Sequence, residues 1–144
     1  MEAIHIRPAT IADFEYVYQF INSLEDEVFD RETQWNIYID NASNANNIYL
    51  MAWAHTLPVG FLSCHAQNLL HHGGLVGEIQ EMFVTENGRG HGIGKLLLDR
   101  CKEIAKANGV LQLEVTSGLA REEAHRFYER EGFLFTHKKL SFAL

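Results

Sequence analysis

Around residue 90 the chain reads Gly88-Arg89-Gly90-His91-Gly92-Ile93-Gly94-Lys95, with glycine at every second position. Glycine lets a backbone take positive φ and approach a ligand closely. An apolar-periodic run follows at once, so the segment opens a helix, whose first N–H groups and positive dipole end attract anions. Arg89 and Lys95 add positive charge. The combination suits a pyrophosphate. Two common phosphate motifs fail. A P-loop needs Gly six positions before its Lys and Ser or Thr after it, but Arg89 and Leu96 stand there. The dinucleotide pattern GxGxxG fails in every register, because Ile93, Lys95 or Leu97 takes the place of its last glycine.

Other side chains add chemistry. Glu78, between Gly77 and Ile79, is a candidate general base, and strand alternation puts Glu78 and Gln80 on one face with Glu81 on the other. His65, His71 and His72 lie near Glu78 in sequence and could hold a divalent metal or an anionic group, or stand exposed. Arg121 and Arg126 could pair with a phosphonate or phosphate, or form a solvated helix face.

These residues need elements to hold them. Ile4-His5-Ile6-Arg7 predicts a short strand ended by Pro8. Thr10 predicts an N-cap for a helix carrying Phe14, Val17, Tyr18 and Ile21 at helical spacing, and Asp30 predicts a cap for a second helix. Strands follow at 48–55, at 61–67 after a turn at Leu57-Pro58-Val59-Gly60, and at 75–85. The short connections make them antiparallel neighbours. The glycine segment opens a helix to about Ala107, with Ile93, Leu97, Cys101, Ile104 and Ala105 on its apolar face. A strand at 111–116, a helix at 121–130 and a final strand or strand pair over 133–142 complete the chain.

At 144 residues with 47% hydrophobic side chains, the chain reads as one domain over residues 1–144. A net charge of −7 argues against general nucleic-acid binding. Cys64 and Cys101 sit in apolar segments outside any CxxC pattern, as reduced core thiols of a cytoplasmic protein do. Neither a signal peptide nor a membrane span is evident.

The spacing Arg89-x-x-Gly92-x-Gly94 resembles the acetyl-CoA pyrophosphate motif of the GNAT N-acetyltransferase family. A strand ending Met82-Phe83-Val84 precedes it and Ala124-His125-Arg126-Phe127-Tyr128 follows, in the family's order. The stretch from His71-His72 to Glu78-Ile79-Gln80-Glu81, with the Phe142-Ala143-Leu144 ending, is similar to the aminoalkylphosphonate branch of the family. The resemblance implies a mixed α/β fold whose mostly antiparallel sheet splays open beside the cofactor. It implies acetyl-CoA as cosubstrate, held by Met82, Phe83, Val84, Arg89, Gly90, His91, Gly92, Ile93, Gly94, Lys95 and Ser117. Ser117 stands where the family often has Asn. The resemblance further implies Tyr128 as the acid that protonates the leaving thiolate. Glu78 is then the base, and His65, His71, His72, Gln80 and Arg126 are acceptor contacts. The expected reaction is direct acetyl transfer to a primary amine of a small molecule, with an aminoalkylphosphonate as first acceptor. Polyamines, aminoglycosides and protein N-termini are the alternatives, and a non-catalytic coenzyme A sensor is the rival class. A divalent metal and a homodimer are further expectations of that branch and family.

Overall fold

The computed structural model describes residues 3–118 and 121–144. Five strands form one sheet in the order β1 (Ile4–Pro8), β2 (Asn47–Ala54), β3 (Leu57–Leu69), β4 (Gly74–Val84), β5 (Gln112–Val115). The first four pair antiparallel and β5 pairs parallel with β4. Helices α1 (Phe14–Glu25) and α2 (Arg31–Ala42) cover one face, while α3 (Ile93–Ala107) packs on the other and α4 (Glu122–Arg130) follows β5. This is the mixed α/β architecture with a mostly antiparallel sheet that the sequence predicts.

Local chemistry explains the helix starts. Thr10 and Asp13 form a reciprocal capping box ahead of α1, and the Asp30 carboxylate accepts the Thr33 N–H at 3.0 Å. Phe14, Val17 and Phe20 of α1 then bury against Met51, Trp53 and Phe61 of the sheet. On the opposite face Ile93, Leu97, Leu98, Cys101 and Ala105 of α3 meet Leu50, Leu62, Cys64 and Ile79. Both cysteines are buried free thiols; hydrogen bonding to Cys101 and burial push the Cys64 thiol up. Leu97 is fully buried between α3 and the sheet. Leu97→Ala is therefore expected to destabilise the fold by about 2–5 kcal/mol, read as a lower urea midpoint at unchanged slope.

Three sequence expectations change. The β2–β3 turn falls at His55-Thr56, with His55 at φ 56°, and Leu57 to Gly60 already belong to β3. Pro58 is accommodated because the β2–β3 register slips at Ala52/Trp53, where a missing donor does no harm. Gly60 serves packing: a Cβ there would lie 3.1 Å from Leu97 Cδ1 and 3.1 Å from the Phe83 carbonyl oxygen, so glycine admits α3. Second, β4 carries a bulge. Ser63 pairs with Glu81 and Cys64 with Ile79, leaving Gln80 as the extra residue. The bulge shifts alternation by one, so Glu78 and Glu81 share the α1/α2 face, and the predicted placement of Glu81 on the face opposite Glu78 is overturned. Third, no strand forms over 133–142 among the described residues. Apolar alternation states what a strand would bury, but a strand needs a neighbour to bond with, and among the described residues none past Phe133 makes a backbone hydrogen bond.

Candidate active site

The sheet opens where β4 and β5 part. Their pairing ends at Ile79↔Val115, while β4 runs on to Val84 with no neighbour on that side among the described residues. A cavity of about 550 Å³ fills the gap, between the unpaired end of β4, the start of α3, Ser117 and α4. At its far end Gly90 (φ 79°) and Gly92 (φ 73°) turn the chain into α3. Gly92 is the N-cap residue, and the Leu96 N–H is bonded to its carbonyl at 3.1 Å. The N–H groups of Ile93, Gly94 and Lys95 thus precede the first helical acceptor and are free for a ligand. No acidic residue occupies this first turn. An anion at that point meets an unopposed helix dipole.

Met82, Val84, Arg89, Gly90, Gly92, Ile93, Gly94, Lys95, Ser117 and Tyr128 all line the cavity, so the sequence-predicted cofactor residues converge with two exceptions. Phe83 turns to the opposite face, its ring 5.0 Å from that of Phe20, and His91 is exposed outside the cavity. Lys95 is engaged by Glu131 at 3.1 Å and Asp99 at 3.2 Å, which raise its pKa. Arg89 lies exposed at the rim. Across the mouth Arg121 of the α4 N-cap reaches Glu25 at 3.8 Å, an exposed pair worth about 0–1 kcal/mol. Tyr128 packs edge-on against Phe127 and Phe133, and burial pushes its hydroxyl up to about 12, against an opposing pull from Arg121.

A second, smaller cavity of about 140 Å³ lies on the α1/α2 side. Aromatic rings of Phe14, Tyr18, Tyr38, Tyr49 and Phe61 wall it, with Gln34, Asn41, His65, Gln80 and Glu81 as polar groups. Gln80 and Glu81 border both cavities, so the β4 bulge is where the two spaces meet. The fully buried Ser63 hydroxyl donates to the Glu81 carboxylate in a short hydrogen bond, and the Glu81 N–H donates to the Ser63 oxygen at 3.1 Å. His65 Nε2 lies 2.8 Å from the Tyr49 hydroxyl. Burial lowers the His65 pKa, opposed by Glu81 and Glu78, which keeps the ring neutral near pH 7.

Glu78 lies on β4 opposite His65, but lines neither cavity. Glu81 does, and sequence reading passed over it because a bulge leaves no mark in the residue pattern. The His71 and His72 rings lie 4.5 Å apart, tilted at 56° to one another, in the β3–β4 turn. At about 3.4 Å per residue, the run from Gly74 to Glu81 is about 24 Å, so they are remote from both cavities. Arg126 is exposed on α4 outside both. Among the described residues no three His, Cys, Asp or Glu side chains gather in a metal-binding group.

A splayed sheet with a helix N-terminus at the gap defines a class of fold, and comparison names it. Residues 14–133 match the acetyltransferase (GNAT) family, and the chain belongs to that family. It is an acetyl-CoA-dependent N-acetyltransferase. Over its full length it is 35% identical to the aminoalkylphosphonate N-acetyltransferase of Salmonella typhimurium, covering 94% of that protein. A Bacillus halodurans protein whose crystal structure is described as a transcriptional regulator superposes with a TM-score of 0.89 at 25% identity, over 99% of this chain and 100% of that one. That span takes in the segment beyond α4. An aminoglycoside antibiotic 6′-N-acetyltransferase from Acinetobacter baumannii shares the fold, with a TM-score of 0.85 at 16% identity over 99% and 98% of the two chains. Among the described residues, no helix is long and apolar enough to cross a membrane.

Proposed function

We propose that this chain acetylates the primary amine of a small molecule by direct transfer, taking acetyl-CoA in the larger cavity and the acceptor in the smaller one. The observation that carries the reading is the shared border: Gln80 and Glu81 face both spaces. Acetyl-CoA supplies an activated thioester and, at its other end, the pyrophosphate. The N–H groups of Ile93, Gly94 and Lys95, with Arg89, suit that pyrophosphate, and Gly90 and Gly92 let the backbone come close. The unpaired edge of β4 at Met82 and Val84 offers backbone groups to the extended arm between them. In this reading a backbone N–H of β4 polarises the thioester carbonyl. Glu81 takes a proton from the acceptor ammonium, the freed nitrogen forms the new N–C bond as the C–S bond breaks, and Tyr128 serves the departing sulfur. Glu78, on the same face as Glu81 beyond His65, adds negative charge behind it. The active unit we infer is a homodimer in the cytoplasm, where two buried free thiols stay reduced.

The first acceptor to test is an aminoalkylphosphonate, supported by the identity with the Salmonella enzyme. The smaller cavity favours a second reading. Its lining holds one carboxylate and tyrosine rings but neither Lys nor Arg, which suits a compact cationic amine without an anionic tail. Thiol release is measured over aminoalkylphosphonates, polyamines, an aminoglycoside and an N-terminal peptide, with and without added divalent cation. Turnover of one class is expected to exceed the others at least about tenfold in kcat/KM. Turnover of polyamines alone overturns the phosphonate reading. Binding of acetyl-CoA with no acceptor turned over points to a coenzyme A sensor instead.

A further inference from the structure

The smaller cavity is lined by neither Lys nor Arg, and burial keeps its His65 neutral, so an anionic tail on the acceptor meets no counter-charge there. The larger cavity is lined by Arg89, Lys95, Arg121 and Arg130, and α4 sorts them by position. Arg130 ends α4 beside Glu131, which holds Lys95 at 3.1 Å. That end of the helix therefore lies by the start of α3, where Arg89 and the free N–H groups suit the pyrophosphate. Arg121 stands at the other end of this nine-residue helix, about 13 Å away at about 1.5 Å per residue. Its neighbour across the mouth is Glu25 at the end of α1, and Leu24 and Glu25 join it in the cavity wall. Arg126, the other arginine the sequence offers for such a tail, is exposed outside both cavities.

The backbone of Arg121 is anchored and its side chain is loosely held. The Arg121 N–H donates to the Gly118 carbonyl at 3.0 Å, and the same carbonyl takes the His125 ring N–H at 2.8 Å. The Arg121 carbonyl in turn accepts the His125 backbone N–H at 3.1 Å. The guanidinium caps nothing in α4. Glu25 lies 3.8 Å from it, beyond hydrogen-bond length, and both side chains are about half exposed. A guanidinium carries five N–H donors in a planar fork that matches a phosphonate or carboxylate two bonds at a time. A tail that makes those two bonds displaces Glu25 at little cost, because an exposed pair of this kind is weak. Gln80, Glu81 and Tyr128 line the same cavity, and the charge of Arg121 is felt at the Tyr128 hydroxyl. An amine at Glu81 and a tail at Arg121 thus belong to one continuous space.

We propose that Arg121 is the specificity-determining residue for the acceptor: its guanidinium receives the anionic tail of the amine, and Glu25 holds that guanidinium at the mouth until the tail arrives. The proposal rests on the reading of an aminoalkylphosphonate as first acceptor. It turns the tail of such an acceptor toward α1 and α4 in the larger cavity, with the amine kept at Glu81.

The test measures kcat/KM for an aminoalkylphosphonate divided by kcat/KM for an uncharged alkanolamine of equal chain length. Any influence of Arg121 on Tyr128 is common to both acceptors and cancels in this ratio. Arg121→Gln is expected to lower the ratio about 10–10²-fold, through a higher KM for the phosphonate. Arg121→Lys keeps the charge without the fork and is expected to recover part of the loss. Glu25→Gln removes the competing carboxylate and is expected to raise the ratio. Added salt should raise the phosphonate KM of the wild type more steeply than that of Arg121→Gln. Circular dichroism checks that each variant folds. A ratio unchanged in Arg121→Gln, with the phosphonate still turned over, overturns the tail contact and leaves the phosphonate reading in place. A higher KM for acetyl-CoA at an unchanged ratio overturns it in favour of a cofactor contact. Wild-type protein that turns over no amine with an anionic tail overturns both.

Discussion

Replacing Glu81 with Gln is expected to lower kcat/KM for a primary amine by about 10²–10⁴-fold, with acetyl-CoA affinity nearly unchanged. The substitution keeps size and hydrogen-bonding shape, so the Ser63 hydroxyl retains an acceptor and the β3–β4 pairing is preserved. What disappears is a group that can take a proton where the two cavities meet. A primary amine with a pKa near that of Lys, about 10.4, reaches the site at pH 7 as an ammonium and cannot attack until it is deprotonated. An acceptor amine of lower pKa arrives already neutral, so the loss on Glu81→Gln should shrink as acceptor pKa falls. A loss independent of acceptor pKa would mean that Glu81 positions the acceptor rather than deprotonating it. Ser63→Ala separates the structural share: it removes the buried hydroxyl that fixes Glu81 and is expected to cost far less activity than the loss of the carboxylate itself. Glu78→Gln, on the same face but outside both cavities, is the paired comparison, and an equal loss there would move the base to Glu78.

The strands and helices that hold this site were legible because their apolar periods are clean. α3 buries Ile93, Leu97, Cys101 and Ala105 at the spacing the sequence shows, and the glycines before it are needed at positive φ at positions 90 and 92. Residues read as one cluster from sequence nearness separate for a geometric reason. His71 and His72 are close to Glu78 along the chain, but an extended strand adds about 3.4 Å with every residue, and the hairpin turn carries them to the far end of the sheet. Phe83 shows the same rule at shorter range. Met82 and Val84 point to the cavity, so alternation sends the residue between them to the opposite face, against Phe20. The bulge at Gln80 could not be read, because one inserted residue in a pair depends on the partner strand and reverses every later side chain. The segment after α4 was readable as strand-like but not as unpaired, since its pairing depends on what lies beside it.

Tyr128→Phe is the second large effect, expected to lower kcat by about 10²-fold while leaving acetyl-CoA binding and the KM of the acceptor close to their wild-type values. The size follows from the state of the hydroxyl. Burial among Phe127 and Phe133 holds its pKa at about 12, so the proton is present at every working pH. A phenol held that high sits well above an ordinary thiol, whose pKa is about 8.5, so full transfer to a departing thiolate is uphill. What the hydroxyl supplies first is an O–H hydrogen bond to developing negative charge, and such bonds are worth about 1.5–3 kcal/mol, or about 10–10²-fold in rate. Complete general-acid transfer can contribute up to about 10⁴-fold. A measured loss near 10² therefore assigns Tyr128 the role of a hydrogen-bond donor to the sulfur. A loss approaching 10⁴ assigns it full protonation, with Arg121, which pulls the pKa down, as its accomplice. The sign of the pH dependence follows as well. The raised pKa keeps the protonated form through pH 10 and removes it only as pH climbs toward 12, so wild-type kcat should show no alkaline fall from Tyr128 below about pH 10. If kcat is unchanged in the Phe variant, the hydroxyl has no part in the chemistry and the ring is there to pack against Phe127 and Phe133.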